Sequence, residues 1–171
     1  MIGSNVQKDQ TQDQPHEGIG QALGRIPGGL FILTARFEDR ATGMLASWVQ
    51  QASFQPPMIS LAIGKGRSIM PLISNSHQFG LCQIAVGDKV LLRKFASGID
   101  PDENPFLGFE LEPNLVSKSP ILANCLSFME CDLVCHMDYE GDHDIFIGKV
   151  INGGLHEGEP MVHLRDSGYN Y

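Results

Sequence analysis

Lys65, Arg67 and Ser68 stand together in the stretch Gly64-Lys65-Gly66-Arg67-Ser68. Two cations and a hydroxyl, spaced by glycines that leave backbone N–H groups accessible, are what a phosphate needs. The stretch follows an apolar run, Met58 to Ile63, and precedes Ile69, Leu72 and Ile73 at helical spacing. It therefore reads as a strand-to-helix loop. It is not a Rossmann fingerprint, because Ile69 stands where the third glycine belongs, and it is not a P-loop, because no Gly-Lys-Ser/Thr closes it. On these five residues alone, a solvated basic turn is an equal alternative.

A second set lies upstream at Met44-Leu45-Ala46-Ser47-Trp48. Small side chains at Gly43, Ala46 and Ser47 let a flat ligand approach the backbone, and the Ser47 hydroxyl can donate to or accept from a ring edge. A tightly packed strand asks for the same small residues. Trp48, the single tryptophan, serves as a core or interface anchor as readily as a ligand stack. Further along, His143 follows the Tyr139–Asp142 turn and opens a strand, which puts it at a rim. Asp142 and Asp144 flank it but alternate across that strand, so they do not share one centre. Ser47, Asp132 and His143 do not make a hydrolase triad, since no Gly-x-Ser-x-Gly elbow accompanies them. His163 and Tyr169 near the C-terminus are weaker candidates.

The elements that must position these groups are mostly strands. Residues 1–17 are polar and without period, and are expected to be a disordered tail ahead of one domain over 18–171. Gly18 to Arg25 reads as a short helix and Pro27-Gly28-Gly29 as a break. Strands are expected over Leu30–Arg36, Gly43–Phe54, Met58–Ile63, Phe79–Val86, Leu126–Met137, His143–Asn152 and Met161–Leu164. The second is long, with a bulge near Ala46-Ser47, and the third, an unbroken apolar run, is expected to be buried on both faces. Helices are expected over Arg67–Asn75 and Asp88–Ala96. In the Leu126–Met137 strand, Met129, Cys131, Leu133, Cys135 and Met137 read as the inward series, with Glu130 on a partly wet face. This strand-rich order lacks βαβ alternation, so the fold class is mainly β: a β-barrel with short helical insertions.

Composition narrows the partners. The chain has 171 residues, a net charge of −8 and 42% hydrophobic residues. The acidic balance argues against nucleic acid or an anionic membrane surface as a partner. No apolar run reaches the roughly 18 residues a spanning helix needs. No secretory pattern opens the chain, so a cytoplasmic location is expected. Cys82, Cys125, Cys131 and Cys135 form no CxxC pair and are expected to be free core thiols, with no metal bound.

The order of the segments ALGRIPGGLFILTA, GMLASWVQQASFQPPMISLAI, GKGRSIMPLISNSHQFGLCQI, GDHDIFIGKVINGG and MVHLRDSGYNY resembles the flavin reductase-like, FMN-binding split-barrel family. It is especially similar to the flavin reductase domain appended to cyanobacterial flavodiiron proteins. The resemblance implies a homodimeric split barrel that binds FMN, takes hydride from NADH or NADPH and passes electrons to a second acceptor, including an electron-acceptor protein. It implies that Met44 to Trp48 line the flavin ring and that Ile63 to Ser68, through Lys65, Gly66, Arg67 and Ser68, hold the phosphate. It implies that His143 lies on the nicotinamide side, with His163 and Tyr169 contributing from the tail. Leu45 departs from the family pattern, where Thr or Ser is common, and so does Trp48, where a smaller residue is usual. Because Trp48 crowds the ring face, a non-enzymatic FMN electron-transfer module is the alternative, and a related barrel binding haem or a deazaflavin is a third reading.

Overall fold

The computed structural model describes residues 17–100 and 103–169. The expected N-terminal tail lies outside the described residues, apart from Glu17. The chain divides into two compact units, one formed by the two termini and one by Gly28–His163.

In the terminal unit, helix α1 (Glu17–Gly24) is held by the returning C-terminal segment. Gly168 N–H donates to Gly20 O at 2.6 Å and Arg165 N–H donates to Gly24 O at 3.0 Å. The segment packs this closely because both acceptors are glycines. A Cβ on Gly20 would lie 2.8 Å from the Tyr169 ring, and one on Gly24 would lie 2.4 Å from Arg165 O.

The larger unit is built on one seven-stranded antiparallel sheet. Its strands are β2 (Phe31–Phe37), β3 (Arg40–Ala46), β4 (Val49–Phe54), β5 (Pro57–Gly64), β6 (Gln78–Gln83), β7 (Ser127–Met137) and β8 (His143–Leu155), in the order β3-β2-β6-β7-β8-β5-β4. The two edge strands are β3 and β4. They are consecutive in the chain and only Ser47 and Trp48 separate them, a link that spans at most about 10 Å. The sheet must therefore curl until its edges meet at that link, which makes a barrel with its split at Ser47–Trp48.

Side-chain alternation follows from the curl. Phe31, Leu33, Ala46, Leu61, Ile63, Phe79, Leu81, Cys131 and Phe146 point inward, and helix α2 (Ile69–Ser76) adds Ile69, Leu72 and Ile73 to that interior. The opposite faces of β2 and β6 carry Ile32 and Cys82, which are covered by Leu91 and Phe95 of helix α3 (Lys89–Ala96) and by Phe106, Ile121 and Leu122. Asp88 caps α3 by accepting from Leu91 N–H at 3.0 Å, and Arg93 and Lys94 sit in its last turn, where cations suit the helix dipole. A two-stranded ladder pairs β1 (Gly28–Gly29) with β9 (Val162–His163).

The structure departs from the sequence reading at several points. The long strand expected over Gly43–Phe54 is two strands, broken at Ser47 and Trp48. β5 is buried on one face only, because its other face looks outward from the barrel. The Pro27-Gly28-Gly29 break holds a short strand, which pairs with the distant Val162–His163. Register shifts at Glu130/Cys131 and Leu133/Cys135 turn the end of β7 outward. Cys135 and Met137 are therefore exposed, while Cys82, Cys125 and Cys131 are buried. Burial pushes the Cys131 thiol up to about 12, so it is inert at neutral pH.

Candidate functional site

The seam between the two barrel edges gathers part of the expected site. Trp48 O accepts from Ala62 N–H at 3.0 Å, which fixes the seam against the end of β5. At that end Gly64 pairs with His143, the first residue of β8. Lys65 N–H continues the ladder to Asp142 O at 2.9 Å. Ser47, Trp48, Ile63, Gly64 and His143 are thus brought together by backbone pairing rather than by proximity in sequence. Ile63 itself is buried in the interior.

The His143 ring packs against Trp48, with centroids 4.5 Å apart and planes tilted by 42°. His143 Nδ1 lies 2.8 Å from Asp142 Oδ1, and this bond holds the Asp142 carboxyl below its ordinary range. A Cβ on Gly64 would sit 3.6 Å from His143 Nε2 and 3.8 Å from Arg67 Nε. The missing side chain leaves a gap bounded by an imidazole and a guanidinium. Ser47 is buried and its hydroxyl has no hydrogen-bond partner among the described residues, an arrangement costing about 1–3 kcal/mol. Gly28 packs over it, since a Cβ there would lie 2.6 Å from Ser47 O, and Gly28 pairs with His163. His163 is therefore one strand away from the seam. Tyr169 belongs to the terminal unit.

The side chains of Lys65, Arg67 and Ser68 do not converge on one point. Lys65 Nζ donates to Asp138 Oδ1 at 2.7 Å and to Tyr139 O at 2.5 Å, and lies 3.6 Å from Asp144 Oδ1. The bond to Asp138 raises the Lys65 pKa against the lowering effect of burial, and Lys65 lowers Asp138 in turn. Arg67 reaches toward Gly64 and His143. Gly66 makes the divergence possible, because it turns the loop with φ at +81°. Ser68 opens instead onto a cavity of about 330 Å³ between the β2–β3 hairpin and α2, lined also by Arg36, Arg40, Thr42 and Asn104. Met44 and Ala46 face the barrel interior on the same side of β3 as Thr42, whereas Leu45 points the other way and packs against the α3 cluster.

Sequence reasoning missed Arg36, Arg40, Thr42 and Asn104, which lie far from the glycine loop in the chain. It also missed the hairpin network. Asp144 is buried at 4% exposure and its Oδ2 lies 2.7 Å from His136 Nε2. His136 stacks on Phe146 with ring centroids 4.3 Å apart. No local signal pairs these residues, because the β7–β8 register alone brings them together. Among the described residues, no group of His, Cys, Asp and Glu is arranged to hold a metal ion. No described helix is long and apolar enough to cross a membrane.

Comparison with known proteins identifies the scaffold. Residues 23–170 match the flavin reductase like domain. Diflavin flavoprotein A 1 of Synechocystis sp. is 36% identical over 156 residues, covering 90% of this chain and 27% of that protein. The chain thus spans about a quarter of the length of such relatives. Among solved structures, the NADH:FAD oxidoreductase SgcE6 of Streptomyces globisporus superposes with a TM-score of 0.77 at 23% identity, covering 84% of this chain and 85% of that one. A second structure of that protein holds NAD and FAD fragments. The styrene monooxygenase flavin reductase of Pseudomonas putida S12 gives a TM-score of 0.70 at 23% identity, over 84% and 90% of the two chains.

Proposed function

The chain belongs to the flavin reductase-like family, and we propose that it binds FMN at the Ser47–Trp48 seam and takes hydride from NADH or NADPH. The observation that carries this reading is the convergence of the orphaned Ser47 hydroxyl, the open Gly64 and the tilted Trp48–His143 ring contact at one end of the barrel. The donor set fits the group: a buried hydroxyl and backbone amides for a ring edge, small residues for a flat face, and Arg67 with the Ser68 loop for a phosphate.

Bound there, the flavin supplies a hydride acceptor that no side chain provides. The chain supplies position. Met44, Ala46 and Ser47 support the ring through backbone and short side chains, and Leu45 contributes backbone only. Gly64 leaves room for close approach. His143, fixed by Asp142 on one side and Trp48 on the other, orients the nicotinamide, and Trp48 excludes water from the same face. His163, on β9, is a further contributor.

The wider proposals are a homodimer, a cytoplasmic location and delivery of electrons to a second acceptor, a partner protein included. The edge strand β4 supports the dimer, because it ends at Phe54, which is 90% exposed. The alternative, an FMN electron-transfer module that never meets a nicotinamide, is favoured by one observation: Trp48 covers His143, leaving its side chain only 12% exposed. Anaerobic mixing of the FMN-loaded protein with NADH or NADPH separates the two. Bleaching of the flavin band with either nucleotide supports the reductase, and an unbleached spectrum with both leaves the electron-transfer module.

A further inference from the structure

We infer that the groove along helix α3 docks a short acidic segment of a partner protein that also carries apolar side chains. The partner's role as electron acceptor rests on the flavin reading above; the docking does not.

The charge distribution is uneven. Helix α3 holds three of the chain's 12 Lys and Arg residues and none of its 20 Asp and Glu residues, in a protein with a net charge of −8. Lys94 is committed to Glu103. Among the described residues, Lys89 and Arg93 make no ion pair. They stand four residues apart on one helix face, a spacing at which like charges repel. Arg93, in the last turn, suits the helix dipole, but Lys89 stands in the first turn, where a cation opposes it. Helix stability therefore does not account for Lys89.

The two cations line a groove of about 460 Å³ between α3 and the segment that follows it. The Lys94–Glu103 ion pair ties its walls together. Its apolar lining is Val90, Ile99 and Phe109. Ile99 and Phe109 pack on the cluster that holds Leu91 and Phe95, so the core beneath fixes them. Val90 belongs to no core and is 66% exposed.

This lining selects its occupant. Carboxylates meet Lys89 and Arg93, and a side chain the size of Leu or Phe covers Val90, Ile99 and Phe109. Free phosphate would leave the apolar lining uncovered. A nucleic acid needs a longer run of cations than two. An acidic partner is repelled by the rest of this acidic surface, so the groove fixes where it docks. The position also suits the flavin reading. A Cβ on Gly43 would lie 2.8 Å from the Phe95 ring, and Leu45 packs in the same cluster as Leu91, so α3 covers the outer face of β3. Met44 and Ala46, on the inner face of that strand, support the proposed ring. One helix diameter, about 10 Å, and one strand separate the partner from the flavin.

The test uses the full chain and a short fluorescein-labelled peptide of Glu and Asp with Leu and Phe at helical spacing, read by fluorescence anisotropy. Binding is expected at about 10 mM salt and is expected to weaken about fivefold or more at about 150 mM, where exposed charges are screened. Lys89→Glu/Arg93→Glu is expected to weaken it about tenfold or more. The milder Lys89→Gln/Arg93→Gln, with an unaltered unfolding midpoint, is expected to give a smaller loss and guards against misfolding. Val90→Ser is expected to weaken binding about threefold at both salt concentrations, since apolar contact is not screened. No binding at either salt, binding that the charge variants leave unchanged, or equal binding of a peptide with Lys for its acids overturns the inference. Equal binding of a single-stranded oligonucleotide overturns it in favour of a polyanion site. Self-association of wild type that Lys89→Glu/Arg93→Glu abolishes overturns it in favour of a second copy, docking through Asp138, Glu140 and Asp142. Flavin uptake by the same samples keeps the two readings apart: a chain that binds peptide but no flavin brings down the flavin reading alone, and one that binds flavin but no peptide brings down this inference alone.

Discussion

Trp48 and His143 are 95 positions apart in sequence, yet their ring centroids lie 4.5 Å apart, with the planes tilted by 42°. Two backbone facts force the contact. Trp48 O is bonded to Ala62 N–H, and two residues further along β5 Gly64 pairs with His143. The only tryptophan of the chain thus reports directly on the proposed cofactor face. Titration with FMN is expected to quench most of the tryptophan emission, with a midpoint equal to that of flavin-fluorescence quenching. Flavin binding with unaltered tryptophan emission would place the cofactor away from the seam.

The proposed function gives His143 the orienting of the nicotinamide rather than proton transfer. Its Nδ1 is committed to Asp142 and its Nε2 faces the gap at Gly64. His143→Gln is expected to raise the Michaelis constant for the nicotinamide about tenfold while FMN affinity changes less than about threefold. Asp142→Asn is expected to move the same constant in the same direction by a smaller factor. An equal fall in FMN affinity would assign His143 to the flavin itself.

Glu130 carries a stability prediction, and its sign can be worked out. It is fully buried, at 0% exposure, beneath residues 116–117. Burial by itself raises its pKa. Hydrogen bonds from Asn152 and from the N–H groups of Ser117 and Val116 outweigh that, and the net shift is downward. A depressed carboxyl stabilises the fold above its unfolded value of about 4.3, and the contribution is lost as pH falls through the lower folded value. Glu130→Gln is expected to cost about 1–3 kcal/mol at pH 7 and to flatten the acid limb of the stability curve. Chemical denaturation at pH 7 and near pH 3 measures both. A wild type and variant with parallel acid limbs would refute the assignment.

The same residue shows what sequence could and could not convey. Alternation along β7 was legible, and it located Cys131 correctly in the interior. It could not anticipate the loop that folds over Glu130, because that contact lies 13 residues away and depends on tertiary packing. The barrel was legible from strand order, and the strand-loop-helix around Lys65 from spacing. The split at Ser47–Trp48 was not, since small residues suit a bulge and a break equally. The loop from Gly64 to Ser68 shows the same limit. Residue types named Lys65, Arg67 and Ser68, but whether they converge is set by φ at Gly66 and by the acidic hairpin opposite, which only the β5–β8 register brings near.

The barrel interior rests on a glycine that composition does not single out. Gly148 lies on β8 two residues beyond the inward-facing Phe146, and Phe79 fills the space a side chain would take. A Cβ on Gly148 would come within 2.3 Å of Phe79 Cζ and 3.0 Å of Cys131 Cβ. Interiors pack near crystal density, so Phe79 has no neighbouring void to enter. Gly148→Ala is therefore expected to destabilise the fold by about 1–3 kcal/mol, visible as a lower midpoint in urea at unchanged slope. The double variant Gly148→Ala/Phe79→Leu removes the colliding ring atoms and is expected to recover part of the loss, a coupling that additive effects would not produce. A tolerant Gly148→Ala, with its midpoint unmoved, would mean that β8 and β6 are not held together through Phe79 as the packing requires.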